Sequence, residues 1–193
     1  MKISVILAHP KSGSFNHALA ARIVKTLQQP GHEVFFHDLY AEQFAPVLPE
    51  QELAKGSSLP PEIKRYCDEI LASDGIVIIH PNWWGQPPAI LKGWVDRVLK
   101  QGIVYEFRQG VGVGMLKARA IVINTSNTPE KDELEMYGDP LETLWKRCIF
   151  GLCGVKHVVR RNLTSVIMSS GEQRKAWLDE VEKLARSEFP ASS

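Results

Sequence analysis

Two adjacent tryptophans, Trp83 and Trp84, stand in a proline-flanked stretch, Pro81-Asn82-Trp83-Trp84-Gly85-Gln86-Pro87-Pro88. An apolar run (75–79) precedes it and a helical pattern follows directly. Aromatic bulk of that kind normally fills a core. At the carboxyl end of a buried strand, where open α/β sheets bind ligands, two indoles offer flat apolar walls. A flat aromatic ligand suits such walls, and backbone amides of the loop can hydrogen-bond its edge. The alternative is that both indoles simply cap the core beneath a tight turn.

A second segment reads His9-Pro10-Lys11-Ser12-Gly13-Ser14-Phe15-Asn16. Ser and Gly lead straight into a helical pattern, whose first amides are free and whose dipole end is positive, so an anion can bind there. Ser14 also serves as an N-cap with no ligand at all. His9 and Lys11 add polar and cationic character. The spacing is neither G-x-x-x-x-G-K-[ST] nor G-x-G-x-x-G. A third segment, Thr125-Ser126-Asn127-Thr128, supplies hydroxyls, an amide and backbone donors, or an ordinary Asx or Ser/Thr turn. Tyr137 can bring a phenol over the same region. Tyr105 and Phe107 either line a pocket or pack a sheet edge. No histidine or cysteine spacing predicts a metal site, and there is no G-x-S-x-G elbow.

These segments need a scaffold that brings them together. Apolar runs of strand length (2–8, 75–80, 119–124, and the more mixed 32–39 and 156–163) alternate with amphipathic helical patterns at 15–29, 60–73, 88–99, 140–152 and 172–189. Residues 40–59 and 125–139 read as long loops, and the tail 190–193 as frayed. Strands apolar throughout belong to a parallel sheet covered by helices on both faces, and right-handed crossovers make it doubly wound. Five strands predict an α/β, flavodoxin-like sheet of order 2-1-3-4-5. Strands 1 and 3 are then neighbours at the switch point. The loops 9–14, 81–86 and 125–128 wall one crevice.

The chain has 193 residues, 44% hydrophobic and 23% charged, and reads as a single domain over 1–193. A net charge of +1 argues against a nucleic-acid binder. The first apolar run is too short for a signal-peptide core or a membrane span. Cys67, Cys148 and Cys153 form no C-x-x-C pair and read as buried free thiols, which suits a reducing cytoplasm.

On Ala8-His9, Ser14-Phe15-Asn16, Asp38-Leu39-Tyr40 and above all His80-Pro81 through Trp84 to Pro88-Ala89-Ile90-Leu91-Lys92-Gly93-Trp94, nearly the whole chain resembles the flavodoxin-like NAD(P)H:quinone oxidoreductases. The resemblance implies a bound flavin, with FAD slightly favoured over FMN, and NAD(P)H as co-substrate. It assigns the flavin phosphate and ribityl region to His9, Ser14, Phe15 and Asn16, and the ring to Pro81, Asn82, Trp83 and Trp84. A second ring-contacting loop falls at Thr125, Ser126 and Asn127, without the family's usual Thr-Thr-Gly-Gly. Tyr137 and Tyr105 take catalytic positions, and Tyr105 with Phe107 a substrate pocket. Family members pair a Tyr with a His to stabilise the reduced flavin, and no His lies in 125–152. The resemblance further implies a homodimer, a small quinone-like acceptor and ping-pong hydride transfer. Two other roles share the pattern: a regulatory ancillary subunit of a potassium-efflux system, with a transporter as partner, and a flavodoxin-type electron carrier. The near-neutral charge argues against the carrier, because carriers of that type tend to be acidic.

Overall fold

The computed structural model describes residues 1–191; the rest of the tail expected to fray, Ser192 and Ser193, lies outside the described residues. Five parallel strands form the central sheet: β1 (Lys2–Leu7), β2 (Glu33–Asp38), β3 (Gly75–Pro81), β6 (Arg119–Thr125) and β7 (Val158–Leu163). Their order is β2-β1-β3-β6-β7. Counting only these five, that is the expected 2-1-3-4-5, and the fold is flavodoxin-like. The apolar runs feed two cores because successive side chains point to opposite faces. Ile6, Ile76, Ile78, Ala120 and Val122 face α2 (Pro61–Ala72) and α3 (Ala89–Val98). Val5, Leu7, Val77, Ile79, Ile121 and Ile123 face α1 (Phe15–Gln28) and α7 (Gly171–Glu188).

Three elements escape the periodic reading. Strands β4 (Tyr105–Arg108) and β5 (Val111–Gly114) form a separate antiparallel hairpin. It docks where a Cβ on Gly114 would lie 2.0 Å from the Gly154 amide nitrogen, a contact only glycine allows. Helix α4 (Glu130–Glu135) interrupts the expected loop 125–139. The expected helix 140–152 is composite: α5 (Pro140–Thr143), a π-helical stretch Leu144–Ile149, and α6 (Phe150–Cys153), closed by Gly154. That wider turn corrects one expectation. Trp145 and Ile149 are its buried residues, so Cys148 is exposed, whereas Cys67 and Cys153 are buried; all three are free thiols.

The long segment 40–59 is a strap across α3. Arg97 on α3 is buried and donates to Glu52 through Nη2 (2.5 Å) and Nε (3.1 Å), and to the Ala45 carbonyl through Nη1 (2.6 Å). No described helix is long and apolar enough to cross a membrane.

Candidate functional site

Register places the two central loops side by side. Pro81 pairs with Thr125 across β3 and β6, and the Asn82 amide then donates to the Thr125 carbonyl at 2.6 Å. Beneath them His80 is fully buried. Its Nδ1 lies 2.8 Å from the Pro81 carbonyl, and its Nε2 accepts from the Trp145 indole at 3.0 Å. Those partners require a neutral ring with the proton on Nδ1, and burial pushes its pKa from 6.5 down to about 4.

The tryptophan pair closes a two-residue turn. Trp83 and Gln86 exchange both backbone hydrogen bonds at 3.0 Å. Trp84 (φ +58°) and Gly85 (φ +70°) occupy its corners in the left-handed region, the geometry of a type I′ turn. Gly85 is required on two counts, since a Cβ there would also stand 2.7 Å from Pro140. A tryptophan in this conformation is strained. Trp84 is nonetheless fully exposed (101%), and Trp83 is 42% exposed. The indoles therefore do not cap the core; the turn holds one of them out over the site at a conformational cost.

On the other side, Ser14 caps α1, accepting from the His17 amide at 3.4 Å. Its hydroxyl also meets His17 Nδ1 at 2.8 Å, and His17 Nε2 meets Asp38 at 3.1 Å. His9 accepts the Lys11 amide at 3.1 Å, and partial burial lowers its pKa. The Phe15 and Asn16 amides, first-turn donors of α1, have no partner among the described residues. Asn16 crosses the crevice floor and bonds Thr125 Oγ1 at 2.9 Å.

A cleft of about 570 Å³ brings together ten of the residues singled out from sequence: His9, Ser14, Phe15, Asn16, Pro81, Asn82, Trp83, Thr125, Ser126 and Asn127. An adjoining cleft of about 510 Å³ contains Trp84 and Tyr137 and shares Asn82 and Thr128 with the first. Tyr137 is 61% exposed, and its hydroxyl has no partner among the described residues. Tyr105 is not brought to either cleft within one chain. It lines a third, of about 320 Å³, beside Lys100 and Cys148. Phe107 packs edge-on against it at 5.9 Å.

Three side chains at the clefts were not legible as such. Arg174, from the first turns of α7, reaches the larger cleft and is held by Ser169 Oγ (2.9 Å) and the Val166 carbonyl (3.1 Å). Ile167 lies beside it on the same wall, its amide bound to Asn127 Oδ1 at 3.1 Å. Glu133 lies at the floor of the Tyr137 cleft, taken up below. Arg174 lies in the expected amphipathic helix 172–189 and Glu133 in the segment 125–139 expected as a loop, and neither carries a local signal of a site.

A sequence family described as having a flavodoxin-like fold matches residues 1–185. The chain belongs to this family. Its relatives include an uncharacterized NAD(P)H oxidoreductase of Haemophilus influenzae, 34% identical over 182 residues that cover 91% of this chain and 89% of that one. A mouse (Mus musculus) ribosyldihydronicotinamide dehydrogenase (quinone) is 29% identical, covering 92% of this chain and 87% of its own. Among solved structures, the NAD(P)H:quinone oxidoreductase of Methanothermobacter marburgensis superposes with a TM-score of 0.81 at 27% identity, covering 96% of this flavodoxin-like chain and 95% of that one.

Proposed function

We propose that this chain is a flavin-dependent NAD(P)H oxidoreductase that reduces a quinone or a similar small acceptor, acting as a cytoplasmic homodimer. The observation that carries the reading is the convergence of the Ser14, Trp83 and Thr125 loops on one cleft, with a strained, exposed indole at its edge. The donor set fits a flavin. The free Phe15 and Asn16 amides suit a phosphate, and Asn16 Oδ1 and Asn82 Oδ1 are buried acceptors without partners. The likeness of Ser14-Phe15-Asn16 to the family's phosphate-binding segment favours FAD slightly over FMN.

A bound flavin supplies the two-electron chemistry between nicotinamide and acceptor. The chain's own residues do the rest. Ser14, His9 and the start of α1 hold the phosphate end, with Arg174 adding positive charge. Trp83 and Trp84 wall the ring. The Asn82 and Trp83 amides are spent on Thr125 and Gln86, so the amides left for a ring edge are those of Trp84, Gly85 and Asn127. Tyr137, which lines the adjoining cleft, would offer its free hydroxyl as a donor to a ring edge that gains negative charge on reduction. Tyr105 and Phe107 stand on the β4–β5 hairpin, away from this cleft, and reach a site only if a second copy of the chain supplies them. Nicotinamide and acceptor would take turns in the one cleft, and turnover would then be ping-pong. Steady-state assays with NADH and NADPH against a quinone panel test this. Parallel double-reciprocal lines are expected, and intersecting lines or no turnover with either nicotinamide would contradict it.

A further inference from the structure

We propose that the buried Glu133 carboxylate is a positioning residue that sets the redox preference of the site: it holds the ring end in place and makes it bind oxidised flavin in preference to the reduced, negatively charged form. The inference rests on the flavin reading above. Glu133 is 4% exposed and accepts from three side chains. Asn82 and Ser126 donate to Oε1, the latter at 3.0 Å, and Asn162 donates to Oε2. One acid thus ties the loop after β3, the loop after β6 and strand β7 together. A carboxylate can only accept, so it fixes the Asn82 amide with Nδ2 toward itself and Oδ1 turned away.

Among the described residues no cation pairs with Glu133. Arg160, which shares its network through Asn124 and Asn162, is taken up by Asp139 (2.6 Å) and Glu142 (3.3 Å). Lys146 also binds Glu142 at 2.5 Å. Three carboxylates against two cations leave the cluster with one negative charge, and its buried member without a cation, Glu133, lines the cleft with Trp84 and Tyr137. In a low-dielectric setting a fixed negative charge near the ring opposes the added charge of reduction. No histidine between 125 and 152 offsets it.

The test is an anaerobic titration of flavin-free protein with oxidised and with dithionite-reduced FMN, and in parallel FAD. The wild-type chain is expected to bind the oxidised form more tightly. Glu133→Gln should shift the ratio of the two dissociation constants by about tenfold toward the reduced form, equivalent to about 30 mV for a two-electron couple. An equal loss of affinity for both forms marks a merely structural role and overturns the proposal. Gln sets its amide against Asn162 and can unfold the chain, so the wild-type ratio is also decisive alone. Equal or tighter binding of reduced flavin by the wild type overturns this inference while leaving the flavin reading intact. A wild-type chain that binds neither form overturns both.

Discussion

Replacing Trp84 by Asn separates what the indole does for the fold from what it does for the site. Trp84 is fully exposed, so its removal costs no packing. Its φ of +58° is disfavoured for a bulky L-residue by about 1 kcal/mol or more. Asn tolerates that region, and an Asn-Gly pair is the preferred occupant of the two corners of a type I′ turn. Flavin-free Trp84→Asn protein should therefore be more stable by about 1 kcal/mol, raising the melting temperature by roughly 2–4 °C for a chain of this size. The same change removes one aromatic wall, and stacking of that kind contributes about 0.5–1.5 kcal/mol beyond area burial. Flavin affinity should fall by roughly threefold to tenfold. Thermal melts and fluorescence titrations on the same preparation read both quantities. A lower melting temperature with unchanged affinity would refute the reasoning, since the indole would then be a structural prop.

Other perturbations probe the scaffold and the chemistry. Unfolded His80 takes up a proton near pH 6.5 and the buried folded ring only near 4, so stability present above pH 6.5 should be lost as pH falls through that window, by roughly 3 kcal/mol in all; urea melts at pH 7 and pH 4.5 that differ no more than those of a His80→Gln variant would contradict it. Arg97→Met leaves Glu52 buried and unpaired and should cost about 3–5 kcal/mol, seen as a large drop in melting temperature and early proteolysis within residues 40–59. Tyr137→Phe removes the free hydroxyl and should slow reduction by NAD(P)H in stopped flow; an unchanged rate assigns that phenol no part in the reaction.

The scaffold was readable because its strands obey a strong rule. Ile76 through Ile79 are all apolar since both faces of β3 are covered, and that run, the helices between runs and the switch-point rule together locate the crevice. The Ser14 and Trp83 loops follow from chain order alone. What stayed hidden obeys no local rule. Strand β5 contains Gly112 and Gly114, whose value lies in contact with Leu152 and Gly154, far along the chain. Helix α4 is nearly all charged, and its one buried acid, Glu133, is fixed by Asn82, Ser126 and Asn162, residues that only the folded sheet assembles. Cys148 faces outward, against the expectation of a buried thiol, because a π turn changes which residues of its helix face inward. Tyr105 and Phe107 are consistent in sequence with either pocket lining or sheet-edge packing, and their distance from the crevice depends on a hairpin that the periodicity does not show.

Purified protein denatured without oxidant, with the released small molecule identified by mass and the native absorbance recorded beforehand, tests the central assignment most directly. A yellow preparation that releases FAD or FMN in about one-to-one ratio is the predicted result. A colourless, folded preparation that takes up neither flavin at micromolar concentration would contradict it.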